Sequence, residues 1–67
     1  MEYTNSRIRE AIAEYIHNER TRRILERRLI DGITFEKLAE ENEMSVSQVK
    51  RIIWKSSETV FRHVKTE

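Results

Sequence analysis

Side chains that can recognise nucleic acid are concentrated in one short stretch in the second half of the chain. Gln48 can make two hydrogen bonds to the edge of an adenine, and Arg51 can make two to a guanine. Val46 can contact the methyl group of a thymine, whereas Lys50 and Lys55 suit phosphate, because each offers a mobile positive charge. These residue types alone would favour an ordinary solvated face, but together with a turn that presents their helix to a groove they predict contact with double-stranded DNA.

Residues for other kinds of chemistry are sparse. The histidines, His17 and His63, fall on different predicted helices and the chain has no cysteine, so no zinc site is expected. The acidic residues Glu40, Glu41 and Glu43 are interpreted as the solvated face of a helix rather than as a metal cluster. No nucleophile has a nearby base, and no glycine-rich phosphate loop is present. We therefore expect a protein that is not an enzyme and that uses no metal or cofactor.

The composition predicts the scaffold that must position these residues. The chain has 67 residues with 37% hydrophobic and 37% charged side chains, one glycine, no proline and no cysteine. Because the turns of β-rich domains draw on glycine and proline, we expect a single all-α domain over residues 1–67, without disulfides. Neither a membrane span nor a signal peptide is evident, which favours a cytoplasmic protein. The initial methionine favours a complete gene product.

The first two helices are expected from hydrophobic spacing and from a glycine stop. The first is amphipathic, belongs to residues 1–18 and runs from about Asn5 to His17. The second runs from about Glu19 to Asp31. Gly32, the lone glycine, is expected to end it in a conformation with positive φ.

The other two helices are expected to form a helix-turn-helix. Thr34 is a natural N-cap for a helix from Phe35 to Asn42, and Ser45 with Gln48 fits a capping box at the start of a long helix. That helix is expected to continue past the Ser-Ser pair in its middle. So short a turn makes two helices cross steeply and closely. A close crossing needs a small residue at the contact, and Ala39 supplies it. The predicted fold class is a small all-α bundle of about four helices that contains a helix-turn-helix.

The segment from residue 23 to residue 52 resembles region 4 of bacterial sigma factors, with the runs ILERRLIDGITFEKLAEE and MSVSQVKRI. It is most similar to the small, free-standing sigma-like regulators of phages and mobile elements in Gram-positive bacteria, and the resemblance covers residues 19–64. The arginine-rich helix that ends in Asp-Gly narrows the resemblance from helix-turn-helix proteins in general to this family. The resemblance implies a transcription regulator whose surface also contacts RNA polymerase or an activator.

Three features depart from the family pattern. Glu43 stands where the turn usually has glycine, so it must either accept an unfavourable positive φ or open the turn. Lys37 stands where a glutamate often precedes the Leu-Ala pair. Nothing resembles sigma region 2, so a chain of 67 residues is not expected to be a full sigma factor.

The net charge of +1 hides an uneven distribution. Residues 19–31 carry +2 and residues 45–67 carry +3, whereas residues 1–18 carry −1 and residues 32–44 carry −3. Positive charge thus gathers on the second and fourth helices, which suits phosphate binding. The predicted DNA-binding residues are Thr34, Ser45, Val46, Ser47, Gln48, Lys50, Arg51 and Lys55.

Several basic and polar side chains also have a structural interpretation. Gln48 can serve only the capping box, with its side chain folded back on Ser45. Lys50, Arg51 and Lys55 can form an ordinary solvated face. At least half of the arginine cluster between residues 20 and 28 is expected to be structural or solvated. Within it, Arg28 is expected to pair with one of three acidic residues, Glu36, Glu40 or Glu41.

Trp54 and Phe61 lie seven residues apart on a second apolar strip of the last helix. In one interpretation the first helix folds back and covers them with Ile8, Ile12 and Tyr15. In the other they form an interface with a second copy of the chain or with a partner protein, since exposed aromatic residues mark interfaces.

Two functional hypotheses follow from these features. The first is a sequence-specific DNA-binding transcription regulator whose helix-turn-helix reads the major groove, with RNA polymerase or a homodimer as a further partner. The alternative is a protein-interaction adaptor that binds RNA polymerase, or a sigma or anti-sigma partner, without specific DNA binding. The DNA target, the direction of regulation and the oligomeric state are left open by the sequence.

Overall fold

The computed structural model describes residues 4–64, which form four α-helices and no strand. The helices are α1 (Asn5–Tyr15), α2 (Glu19–Leu29), α3 (Phe35–Asn42) and α4 (Val46–His63). The predicted all-α fold class is confirmed. The last helix has 18 residues, runs unbroken through its Ser-Ser pair and packs against each of the other three. α4 is therefore the element on which the rest of the domain is assembled.

Each helix begins at a side-chain cap. The caps lie in extended backbone, and each accepts a hydrogen bond from the backbone N–H three residues further on: Thr4, Asn18, Thr34 and Ser45. Such an acceptor satisfies one of the N–H groups that the first turn of a helix leaves without an intrahelical partner. The N-caps predicted at Thr34 and Ser45 are confirmed.

α1 ends at Tyr15 rather than at the predicted His17. Ile16 turns to an extended conformation, with φ −110° and ψ 114°. Arg22 of α2 then donates to two carbonyl oxygens at the end of α1, from Nε to Ile16 and from Nη2 to Ala13 at 2.8 Å. The early stop therefore lets a side chain of the next helix cap the carbonyl end of α1.

α2 ends at Leu29 rather than at the predicted Asp31. The N–H of Ile33 donates to the carbonyl oxygen of Arg27 at 3.0 Å and closes the turn that follows the helix. Gly32 lies inside this turn with φ 70°, a conformation that a Cβ disfavours. The role predicted for the lone glycine is confirmed, although the helix stops before it.

One hydrophobic core joins all four helices. Its buried side chains are Ile8, Ala11, Ile12, Ile16, Ile24, Leu25, Leu38, Ala39, Val49, Ile53, Val60 and Val64. No polar or charged side chain among residues 4–64 is fully buried. Within the same range, no helix combines the length and the apolar character needed to cross a membrane.

Tyr15, one of the three residues of α1 that could have covered Trp54 and Phe61, lies outside the core. It is 38% exposed and stacks on His63, with ring centroids 4.0 Å apart and an interplanar angle of 12°. This contact joins the end of α1 to the end of α4.

Candidate nucleic-acid interface

The turn between α3 and α4 is tight because Glu43 adopts a left-handed conformation, with φ 54° and ψ 46°. The N–H of Met44 donates to the carbonyl oxygen of Ala39 at 2.9 Å, and the N–H of Glu43 donates to that of Glu40 at 3.4 Å. This pair of bonds is the Schellman arrangement, in which glycine usually occupies the left-handed position. Of the two outcomes expected at Glu43, the chain accepts the positive φ and keeps the turn closed.

α4 turns one face to the core and leaves the opposite face open to solvent. Val49, Ile53 and Val60 are buried on the core side. The exposed side chains on the other side are Ser47, Gln48, Arg51, Trp54, Lys55, Glu58 and Arg62. Lys50, by contrast, is half-buried.

The predicted DNA-binding residues lie in two settings. Val46 and Lys50 are half-buried, and Val46 packs against the core, so only part of its side chain faces solvent. The other six are exposed: Thr34, Ser45, Ser47, Gln48, Arg51 and Lys55. All but Thr34, which caps α3, lie at the start of α4 or within its first three turns.

Gln48 is folded back on the N-terminus of α4. Its Oε1 accepts from the Ser45 N–H at 3.0 Å, while the Ser45 Oγ accepts from the Gln48 N–H at 3.2 Å. The predicted capping box is therefore present. Two hydrogen bonds to an adenine would need both Oε1 and the amide nitrogen, so that contact would require the cap to open.

Lys50 lies over an aromatic ring contributed by α3. Its Nζ is 5.5 Å from the centroid of Phe35, and the guanidinium carbon of Arg28 is 4.2 Å from the same centroid. A cation over a ring face is attracted by the ring quadrupole, so Phe35 gathers two positive charges at the junction of α2, α3 and α4. Nothing in the sequence spacing pairs Phe35 with either cation.

Arg28 does not pair with an acidic residue of α3, contrary to expectation. Besides lying over Phe35, it donates from Nη1 to the carbonyl oxygen of Ile33 at 3.0 Å. The ion pair to α3 is made by Arg27 instead, whose Nη2 lies 2.5 Å from Oε2 of Glu41. The physical reason is position, since Arg27 reaches a residue near the end of α3 while Arg28 lies against the residue at its beginning.

The hydrogen bond from Arg27 also sets the ionisation of its partner. It lowers the pKa of the Glu41 carboxyl, and the attraction between the two charges acts in the same direction. The same bond raises the pKa of Arg27. Both groups are therefore charged over the ordinary pH range.

Most of the arginine cluster on α2 makes contacts inside the domain. Besides Arg22, Arg27 and Arg28, Arg20 donates to the carbonyl oxygen of Asn42 at 3.4 Å. The expectation that at least half of this cluster is structural or solvated is confirmed. Arg20 and Arg23 are nevertheless exposed and lie close to the residues of the turn, so α2 adds positive charge there.

The two aromatic residues of α4 that were expected to form a strip differ in exposure. Trp54 is 63% exposed and Phe61 is 37% exposed. The first helix does not cover Trp54, because Ile8 and Ile12 are buried in the core and Tyr15 turns to His63. Of the two interpretations, cover by α1 is wrong for Trp54.

Comparison with family models, with curated proteins and with solved structures finds no match to this chain. Among residues 4–64, no three His, Cys, Asp or Glu side chains come together as ligands for a metal ion.

Proposed function

We propose that this chain is a sequence-specific DNA-binding transcription regulator that reads the major groove with α4. The observation that carries the proposal is the open, basic face of α4 directly after a tight turn from α3. The major groove admits an α-helix, and recognition helices place their first turns against base edges.

The exposed side chains of α4 divide into two kinds of contact. Ser47 and Arg51 project into solvent from the first two turns of α4 and are assigned to base edges. Lys50 and Lys55 are assigned to phosphates, with the Thr34 hydroxyl at the start of α3 as a further phosphate donor. Lys50 has the better defined position, since Phe35 lies beneath its ammonium group.

The charge distribution supports a fixed orientation on DNA. Residues 32–44, which contain α3, carry −3, whereas residues 45–67, which contain α4, carry +3. A polyanion is attracted to the α4 side and repelled from the acidic side of α3. The electrostatic field therefore favours the approach that brings α4 to the groove.

The proposal keeps the family relationship suggested by the sequence, that of a sigma region 4-like regulator from a phage or mobile element. A single helix-turn-helix covers few base pairs, so a second copy of the chain or RNA polymerase would add specificity.

The proposal is tested by fluorescence anisotropy with duplexes selected from a random pool, from about 50 to about 200 mM salt. We expect affinity to fall as salt rises and Arg51→Ala to weaken binding roughly tenfold, as loss of a base contact does. Arg9→Ala is the matched control, since Arg9 is an exposed arginine on α1. Absence of salt-dependent binding, or equal losses in both variants, would contradict the proposal.

The exposure of Trp54 favours a second candidate, a protein-interaction adaptor that binds RNA polymerase or a sigma or anti-sigma partner. Capture of purified polymerase by the immobilised chain, compared with DNA titration at the same salt, separates the two. Capture that Trp54→Ala abolishes, without binding to any duplex, would support the adaptor.

A further inference from the structure

Trp54 is the most exposed of the large apolar side chains that the structure describes. It is 63% exposed, against 38% for Tyr15 and 37% for Phe61, and it is the only tryptophan in the chain. Small domains gain stability by burying such a ring, so an open tryptophan indicates a surface that is covered when a partner binds.

The position of Trp54 connects it to the proposed DNA-contacting face. A shallow depression along α4 is lined by Ser47, Lys50, Arg51, Trp54, Lys55 and Glu58. Residues three or four apart on a helix lie on one face, so Trp54 follows Arg51 by one turn on the same stripe. A helix that lies in the major groove presents one such stripe along several turns.

The charge around the indole is complementary to a polyanion. Lys50, Arg51 and Lys55 surround it, and the one carboxylate of the depression, that of Glu58, is paired with Arg62 at 3.0 Å. An acidic protein would meet the same charges, but the stripe that Trp54 shares with Arg51 favours DNA as the occupant.

We propose that Trp54 is a specificity-determining residue that contacts the methyl group of thymine in the major groove. The inference rests on the proposed DNA-binding function and deepens it. Indole offers a large apolar surface and a single N–H donor, and the thymine methyl is the apolar group that base pairs expose in that groove. Trp54 lies about 4.5 Å along the helix from Arg51, close to one base-pair step of about 3.4 Å. The thymine is therefore adjacent to the base that Arg51 contacts, or one step beyond.

The experiment removes the methyl group alone. In the duplex selected by the wild-type protein, each thymine is replaced in turn by deoxyuridine, and affinity is measured by anisotropy for the wild type, Trp54→Ala and Phe61→Ala. We expect one replacement to weaken the wild type and Phe61→Ala about fourfold, the value of one buried methyl. Trp54→Ala should bind both duplexes equally, and its circular dichroism should match the wild type.

A second measurement follows the indole directly, because its fluorescence has no other source in this chain. We expect bound duplex to protect Trp54 from quenching by acrylamide. An equal deoxyuridine penalty in Trp54→Ala, or unchanged quenching in the bound state, overturns the inference while leaving DNA binding intact. If Trp54 becomes protected from acrylamide when the protein concentration rises in the absence of DNA, it lies at an interface between copies of the chain. That result also overturns the inference. Failure of every variant to bind any duplex overturns the proposed function itself.

Discussion

Glu43 adopts a backbone conformation that costs an L-residue free energy and that glycine adopts freely. Its φ of 54° lets the hydrogen bond from Met44 to Ala39 close the turn between α3 and α4. The side chain itself is exposed, so little of its contribution to folding comes from packing. The left-handed conformation of Glu43 therefore costs free energy but permits the tight turn that sets the start of α4.

Glu43→Gly is expected to stabilise the domain by about 1 kcal/mol, because glycine relieves the left-handed strain. In a domain of this size, the midpoint of thermal unfolding should rise by roughly 4–8 °C. Glu43→Ala is the control, since it removes the same carboxylate but keeps a Cβ. An equal gain in the alanine variant would assign the effect to charge rather than to the backbone.

At the scale of the elements, side chains of α2 tie the helices together. Arg22 caps the end of α1, Arg28 lies over Phe35 at the start of α3, and Arg27 pairs with Glu41 near its end. The positive charge of α2 is thus used mainly for contacts inside the domain. α4 differs in that two of its exposed basic side chains, Arg51 and Lys55, lie on one open face of the helix.

The Arg27–Glu41 contact makes the packing of α2 on α3 sensitive to acid. Because the pKa of Glu41 is lower in the folded chain than the unfolded value of about 4.3, its contribution is complete above that pH and is lost as pH falls through the folded pKa. We expect Glu41→Gln to lower the melting temperature at neutral pH and to flatten its decline on acidification. Glu40→Gln, the exposed neighbour, should keep the wild-type pH profile, and identical profiles for the two variants would contradict the assignment.

At the scale of the whole molecule, α1 belongs to the core and is not an appendage of the α3–α4 pair. It contributes Ile8, Ala11 and Ile12 to the one cluster that all four helices share, and Ile16, directly after the helix, is buried in the same cluster. A domain of this length rarely gains more than roughly 3–5 kcal/mol from a single core. The orientation of α4, and with it the proposed DNA-binding face, therefore depends on α1.

Ile12→Ala is expected to cost about 2–5 kcal/mol, which is comparable to the whole stability, so most of the chain should be unfolded at room temperature. Ile12→Val should cost about 0.5–1.5 kcal/mol and stay folded, and Glu14→Ala on the exposed face should change little. Urea titration followed by circular dichroism measures all three. If Ile12→Ala unfolded cooperatively at the urea midpoint of the wild type, α1 would be dispensable for the stability of the domain.

The sequence by itself determined that there are four helices and identified the caps at the start of the last two. Thr34 and Ser45 mark helix starts, and Gly32 follows a helix end. The apolar spacing of α4 separates its buried face from its open face. The sequence is sufficient for these features because each depends on residues at most a few positions apart. The two misplaced helix ends show the limit of such local rules. α1 stops where Arg22 can reach its carbonyl oxygens, and that reach depends on how two helices pack.

Only the tertiary structure decided which charged and aromatic side chains meet. It paired Arg27 rather than Arg28 with α3, placed Phe35 near two cations and left Trp54 open. These outcomes depend on distances between residues that are far apart in the chain or on different helices. Helical periodicity fixes the direction in which a side chain points from its helix axis. The rotation and separation of neighbouring helices decide which residues that side chain contacts.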